Sequence, residues 1–346
     1  MYHPHLTRNL RSIAFLMVVA AILSGIGMLW WANRTGLPES WRAAIENEIS
    51  KQGAYVRIGG LSYNPLRGVV ATKVRVFSDA ARVHEVSKLQ NVVLDFDKTK
   101  LARGELKITK LEFVNVTLTM PVDPENPASE TLEIKDANGL LFMPGGRRFE
   151  IRNARGTIAG IHVVLDARII GYKQNAQHVP DPAQDGKRRQ LIARVIGELN
   201  HWRFDPKRPP ELRVVLNGDV NQPGSLVAKL TLVAKGVGKN NHSLDVITAE
   251  AEVTGNLVTI TSLLAEDPYG KLQGHADYDI NEREGRFDLN SSLEIPSLLR
   301  DWFGTPPLHD VTVGGSQRVD AEGTFQLNEG SAPRIQMTGH AACGSV

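Results

Sequence analysis

The chain has 346 residues, enough for one large or two ordinary domains. Its net charge of +2, with 23% of residues charged, gives no electrostatic reason to expect a nucleic-acid partner. A single cysteine, Cys343, excludes an internal disulfide and a cysteine-rich zinc site, and near the C-terminus it is in the wrong place for a lipobox.

Residues 12–32, SIAFLMVVAAILSGIGMLWWA, run for 21 positions without a charge. As a helix this segment would be about 31 Å long, the thickness of a bilayer's hydrocarbon core. Ile13, Phe15, Leu16, Val18, Val19, Ile22, Leu23, Ile26 and Leu29 supply its apolar bulk, and Trp30 and Trp31 fall where an interfacial aromatic belt would lie. Arg8 and Arg11 precede it, so residues 1–11 are expected to stay cytoplasmic. A cleaved signal peptide would have an apolar region of about 7–15 residues ending in small side chains. This run is longer, and Trp30 makes a poor cleavage context. A buried soluble helix would show a polar face, and none is present. The segment therefore predicts an uncleaved, single-pass transmembrane anchor.

Next comes ESWRAAIENEISKQG, with Trp41, Ala44, Ile45 and Ile49 at helical spacing. Pro38 suits the start of a helix and Gly53 its C-terminal cap. The spacing predicts a short amphipathic helix, packed against the strands that follow.

From Ala54 the period becomes two. VATKVRV puts Val70, Val74 and Val76 on one side and Lys73 and Arg75 on the other. ELKITKLEFVNVTLTM aligns Leu106, Ile108, Val114, Val116, Leu118 and Met120, and AGIHVVLDARI aligns Ile161, Val163, Leu165 and Ile169. SLVAKLTLVA contributes Leu230 and Leu232; KLQGHADYDI contributes Leu272 and Tyr278. FDLNSSLEI alternates Phe287, Leu289, Leu293 and Ile295 with polar residues, and RVDAEGTFQL brings Phe325 to the same kind of face. Such runs, separated by Gly, Asn, Asp and Pro, are half-buried antiparallel strands. Further helices are expected only over residues 187–202 and 296–303. The fold class is therefore mainly β: a transmembrane helix, a short amphipathic helix, then a long antiparallel sheet with few helices. Residues 36–172 form a first β region with its leading helix, 173–203 a linker loop and helix, and 204–346 a second region of hairpins.

One stretch points elsewhere. NVVLDFDKTK, residues 91–100, carries Asp95, Asp97 and Thr99 in the D-x-D-x-T spacing that opens haloacid-dehalogenase-type phosphatases. That chemistry needs a parallel α/β fold, with the first Asp at a strand end and a helix soon after. The residues after Thr99 return to period two, which reads Asp95 and Asp97 as the polar side of a strand carrying Leu94 and Phe96. Gly218-Asp219 resembles that family's metal motif but lacks the later Asp. No G-x-S-x-G, H-E-x-x-H or P-loop is present. His162, His242 and His275 read as isolated, exposed strand histidines. No catalytic residue, metal site or cofactor is predicted.

So many one-faced strands create more apolar surface than a few short helices can cover. The sheet must close into a barrel, pair with a second sheet, or curl into an open groove that something else fills. Acyl chains would suit the third case, at about 0.8 kcal/mol per buried CH₂.

The anchor, the amphipathic helix, and the stretches YVRIGGLSYNPLRGVVATKVRVFSD and VSKLQNVVLDFDKTKLARGELKITKLEFVNVTLTMPV together resemble the N-terminal part of AsmA-like envelope proteins. LLAEDPYGKLQGHADYDINEREGRFDLNSSLEIPSLLRDWFG resembles the repeated hairpins of that family's C-terminal region. The resemblance implies a bacterial inner-membrane protein whose bulk is periplasmic. It also implies a curled, open β-groove that carries phospholipid for outer-membrane assembly or lipid homeostasis. The implied partners are the inner membrane, phospholipid acyl chains and other envelope proteins, with no nucleic acid. Leu230, Leu232, Leu272, Tyr278, Phe287, Leu289 and Phe325 are the candidate groove residues. A structural envelope scaffold with a closed β core is the alternative, and a phosphatase the disfavoured one. Family members are usually longer, and Ile335, Met337 and Ala341 still alternate as this chain stops. That predicts a truncated product, a fragment, or a partner in a larger assembly.

Overall fold

A computed structural model describes residues 36–51, 55–64, 67–77, 80–83, 85–121, 131–145, 148–171, 197–199, 201–219, 222–293, 317–327 and 334–343. The expected anchor at 12–32, the C-terminal cap at Gly53, the helix at 296–303 and most of 173–203 lie outside these residues. No helix among the described residues is long and apolar enough to cross a membrane. Within the helix expected over 187–202, residues 197–199 are helical, whereas Trp202 begins a short strand. The chain divides into two compact units, Met1–Phe113 and Val114–Val346.

The first unit begins with helix α1 (Glu39–Ser50). Pro38 stands at its N-cap, and the N–H of Lys51 closes its last turn on Asn47 O at 3.0 Å. Ile45 is its one fully buried side chain, with Trp41 and Ile49 half-buried beside it. Glu46 ties the helix to the sheet: Oε1 accepts the Ile58 N–H at 2.7 Å and Oε2 accepts Arg82 Nη1 at 3.0 Å.

Strands β1 (Tyr55–Arg57), β2 (Gly60–Asn64), β3 (Gly68–Phe77) and β4 (Glu85–Phe96) follow. β3 is central, pairing antiparallel with β1, β2 and β4. Its side chains do not alternate as expected. Val69, Ala71, Val74 and Phe77 are buried, whereas Val70 and Val76 are only half-buried. Lys73, whose φ of 50° puts it in the left-handed region, moves the buried side from Ala71 to Val74, and a register shift against β4 between Val76 and Phe77 moves it again. Gly59 faces Lys73. Its N–H lies 3.1 Å from Thr72 O and 3.2 Å from Lys73 O, and a Cβ there would meet the Lys73 Cβ at 2.8 Å. At Gly60 a Cβ would instead meet the Thr72 hydroxyl at 2.7 Å.

A one-turn helix α2 (Lys98–Leu101) leads to β5 (Ile108–Pro121), which pairs antiparallel with β4 through residues 108–113. β5 continues into the second unit. Asn115 has a φ of 51°, and Val114, expected inward, is 49% exposed.

The second unit contains β6 (Thr131–Gly145), β7 (Arg148–Ile158), β8 (Ile161–Ile170), β9 (Trp202–Arg203) and β10 (Glu211–Asp219). They are followed by β11 (Val227–Lys239), β12 (His242–Thr254), β13 (Leu257–Glu266), β14 (Lys271–Asp279), β15 (Glu284–Ser291), β16 (Gln317–Gln326) and β17 (Arg334–Cys343). Consecutive strands pair antiparallel from β6 to β8 and from β10 to β17. The join between these blocks departs from the expected antiparallel pattern: β8 and β10 are parallel over nine residues. Residues 171–210 separate the two strands in sequence, long enough for the crossover a parallel pair requires.

Bulges interrupt the ladders. β7 skips a residue between Ile151 and Ala154, where Asn153 takes a φ of 49° and its N–H donates to Asp166 Oδ1 at 2.9 Å. Asn115 N–H is held in the same way by Asn138 Oδ1 at 2.8 Å. β13 carries a further irregularity at Thr261 and Ser262, against both of its neighbours. Each such site bends its strand and increases the local twist.

Candidate functional site

In an antiparallel ladder, directly opposed residues share a face. The registers of the second unit can therefore be read across as rows. One row is Val163, Leu212, Leu232, Ala249, Leu263, Gly274, Leu289, Ala321 and Gly339. The next is Leu165, Val214, Leu230, Ala251, Ile260, Ala276, Phe287, Gly323 and Met337. A third is Ala167, Leu216, Ala228, Val253, Val258, Tyr278, Gly285, Phe325 and Ile335. None contains a polar side chain other than the Tyr278 hydroxyl. They cross nine adjacent strands, roughly 38 Å at a usual strand spacing of about 4.8 Å. Leu230, Leu232, Leu272, Tyr278, Phe287, Leu289 and Phe325 all lie on this face; Leu272 belongs to a fourth row with Ala234, Ile247 and Ala265.

This face is not sealed. In the three rows only Ala167 and Gly285 are buried. The large side chains are half-buried, and at β17 Ile335 is 59% and Met337 69% exposed. β17 pairs antiparallel with β16. The fourth row differs. There Ala234, Ile247 and Ala265 join Val237, Leu244 and Leu293 in a buried cluster, against which Trp202, Phe204, Leu232 and Leu272 pack. Trp202 and Phe204 meet edge to face, with centroids 6.2 Å apart. Glu198 holds this corner, accepting from Trp202 Nε1 at 3.3 Å and from Lys239 Nζ. The apolar face thus has a dry end and a wet expanse.

On the half-exposed part, two phenylalanine rings lie over glycines. Gly285 sits opposite Phe325, and a Cβ at Gly285 would come within 2.3 Å of the Phe325 ring. A Cβ at Gly323 would meet Phe287 Cζ at 2.9 Å. The two glycines therefore leave room for aromatic rings to rest against the sheet. Phe325 also stacks on Tyr278, with centroids 5.7 Å apart and planes 8° from parallel, and lies 6.3 Å from Phe287.

The opposite face is polar. One of its rows reads Asp166, Val215, Lys229, Glu252, Thr259, Asp277, Arg286, Thr324 and Gln336. Lys229 and Glu252 pair across it at 3.6 Å. The two faces of one sheet thus present hydrocarbon and charge.

The other sequence signals resolve into local structure. Asp95 lies in β4 and pairs with Lys110 Nζ at 2.9 Å, which raises the Lys110 pKa above its usual 10.5. Asp97 is not on the strand, as alternation implied. It is the N-cap of α2, its Oδ1 accepting from Thr99 N at 3.0 Å and Lys100 N at 3.2 Å. Both neighbours of β4 are antiparallel to it, unlike the fold the phosphatase motif requires. Gly218-Asp219 ends β10 in a turn closed by Gln222 N to Asp219 O at 3.0 Å. His162 and His275 are exposed, but His242 is not. Its Nε2 lies 3.2 Å from Asp267 Oδ2, with the two side chains 12% and 1% exposed. Asp267 Oδ1 also accepts from Tyr269 N and Gly270 N, at 2.8 and 2.7 Å. Sequence reasoning missed this pair because its members lie 25 residues apart and neither belongs to a motif. Among the described residues no group of three His, Cys, Asp or Glu side chains is arranged to hold a metal ion.

No protein-family model matches the chain, and neither a curated protein nor a solved structure matches it.

Proposed function

We propose that the chain is an AsmA-like protein, anchored in a bacterial inner membrane and periplasmic in bulk, whose second unit binds phospholipid acyl chains along its apolar face. The observation that carries this reading is the set of three apolar rows, nine strands wide, whose large side chains are left half-exposed. Monomeric soluble proteins rarely leave contiguous apolar surface of that extent to water. An acyl chain laid along it would contribute about 0.8 kcal/mol for each methylene removed from water. Binding, not catalysis, is the activity this surface supports. A bulged, twisted sheet gives the curl that a groove needs. Transfer of lipid for outer-membrane assembly or lipid homeostasis is the role that follows.

The sealed cluster at the fourth row favours the second reading, a ligand-free scaffold, at that end alone. Two substitutions separate the readings. Leu244 is 3% exposed within the cluster, so Leu244→Glu buries an unpaired charge and is expected to unfold the unit, at a cost of several kcal/mol. Leu289→Glu, on the half-exposed part, is expected to leave the fold intact and to reduce co-purifying lipid, measured by mass spectrometry alongside the melting temperature. Unfolding by Leu289→Glu, together with a parent protein that carries no lipid, would leave the scaffold.

A further inference from the structure

A second kind of surface lies in the first unit. Between α1 and the β1–β3 pair is a cleft of about 380 Å³, lined by Arg42, Arg57, Lys73 and Arg75 with Glu39 and Glu46. Four cations therefore face two carboxylates. The carboxylates are engaged: Glu39 pairs with Arg42, and Glu46 is held by Ile58 N–H and Arg82. Arg75 has a distant partner in Glu85 at 3.9 Å. Arg57 and Lys73 have no acidic partner among the described residues.

The register makes this arrangement unfavourable without a counter-charge. Arg57 stands directly opposite Arg75, and like charges facing each other across an antiparallel pair destabilise it. Lys73 adds a third cation from the same cleft wall, and it does so from a left-handed backbone that a lysine adopts at a cost. The opposing position is held as glycine because a Cβ there would strike Lys73. Lys73 and a like-charged arginine pair, all bordering one cleft, form an arrangement whose repulsion a bound anion would offset. Guanidinium groups recognise phosphate oxygens with paired N–H donors, and lysine adds a point charge.

We propose that this cleft binds a phosphate group, with Arg57 and Lys73 as its principal ligands. The group comes either from a phospholipid headgroup or from a soluble phosphate. The site stands apart from the acyl-chain reading and does not depend on it.

The test uses the full chain in a neutral detergent at low ionic strength. Titration with inorganic phosphate, followed by calorimetry, is expected to saturate, and to weaken as salt is added. The Arg57→Gln/Lys73→Gln double variant should lose roughly tenfold or more in affinity. Lys73→Gly removes the charge and the backbone strain together, so it should weaken phosphate binding while raising the melting temperature. A second titration, with dihexanoyl phosphatidic acid in a Leu289→Glu background, identifies the source. Binding at least tenfold tighter than phosphate assigns a lipid headgroup, and equal binding assigns a soluble phosphate. The inorganic phosphate titrations of the parent and of the Arg57→Gln/Lys73→Gln variant do not involve Leu289, so failure of the acyl-chain reading leaves that result standing. Absence of saturable phosphate binding by the parent, or equal binding by parent and double variant, overturns the proposal.

Discussion

Asp97 shows how one residue type serves two unrelated ends. In a D-x-D-x-T run on a parallel α/β fold, the second aspartate moves a proton; here it satisfies the orphan N–H groups of a single helical turn. Asp97→Ala should therefore cost about 1 kcal/mol, the usual loss for an aspartate N-cap, read from urea unfolding of the full chain. The result that would contradict this role is an unchanged midpoint accompanied by loss of magnesium-dependent phosphomonoester hydrolysis. Asp95 was legible as a strand residue because its neighbours alternate. Asp97 was not, because alternation cannot mark the residue at which a strand stops. His242 failed for a different reason. Its environment is set by Asp267 on a turn that the chain reaches only after a complete hairpin.

At the scale of strands, periodicity recovered what depends on one strand alone. Leu230, Leu232, Tyr278, Phe287, Leu289 and Phe325 were placed on one face by parity, and the registers put them there. What parity cannot carry is the relation between strands. The parallel β8–β10 pair was unreadable because alternation looks the same in either chain direction. The left-handed Lys73 and the register shifts at Phe77 and Asn153 were unreadable because each changes parity by one through the backbone. Two predictions belong here. Gly285→Ala should displace the Phe325 ring from the sheet, lowering the melting temperature and changing near-ultraviolet circular dichroism from the Tyr278–Phe325 stack. An unaltered spectrum and melting temperature would mean that the ring does not rest there. The second concerns the corner formed by Glu198, Trp202 and Lys239. Burial alone would raise the Glu198 pKa, but hydrogen bonds from Lys239 and Trp202 outweigh it and hold the carboxyl below its ordinary 4.5. A depressed folded-state pKa contributes stability that is fully present above 4.5 and is lost as pH falls through the lower folded value. Parent stability should therefore decline over that acidic window more steeply than that of Glu198→Gln, with Trp fluorescence reporting the transition.

For the molecule as a whole, the sequence defines a charge-free run at 12–32 ahead of the described residues of both units. If that run is an uncleaved anchor, alkaline carbonate should leave the full chain in the membrane pellet with its mass intact. Release into the supernatant, or a mature N-terminus near Asn33, would remove the anchor from the account. Neither unit depends on that outcome for its own surfaces. The first presents concentrated positive charge, while the second presents hydrocarbon on one side and mixed charge on the other.

The rings that lie flat over Gly285 and Gly323 bear on which lipids such a face would prefer. A surface on which side chains stand upright has notches, and notches discriminate by the length and bend of what fits them. Where rings lie flat, as over these two glycines, there are few. A bound chain would then be held in proportion to the methylenes it covers, at about 0.8 kcal/mol each, wherever along its length they fall. Saturated and monounsaturated phospholipids of equal length should compete on nearly equal terms. In a lipid extract from the purified protein, the acyl composition should follow that of the membrane of origin. Enrichment of one chain type would point to a feature other than this floor.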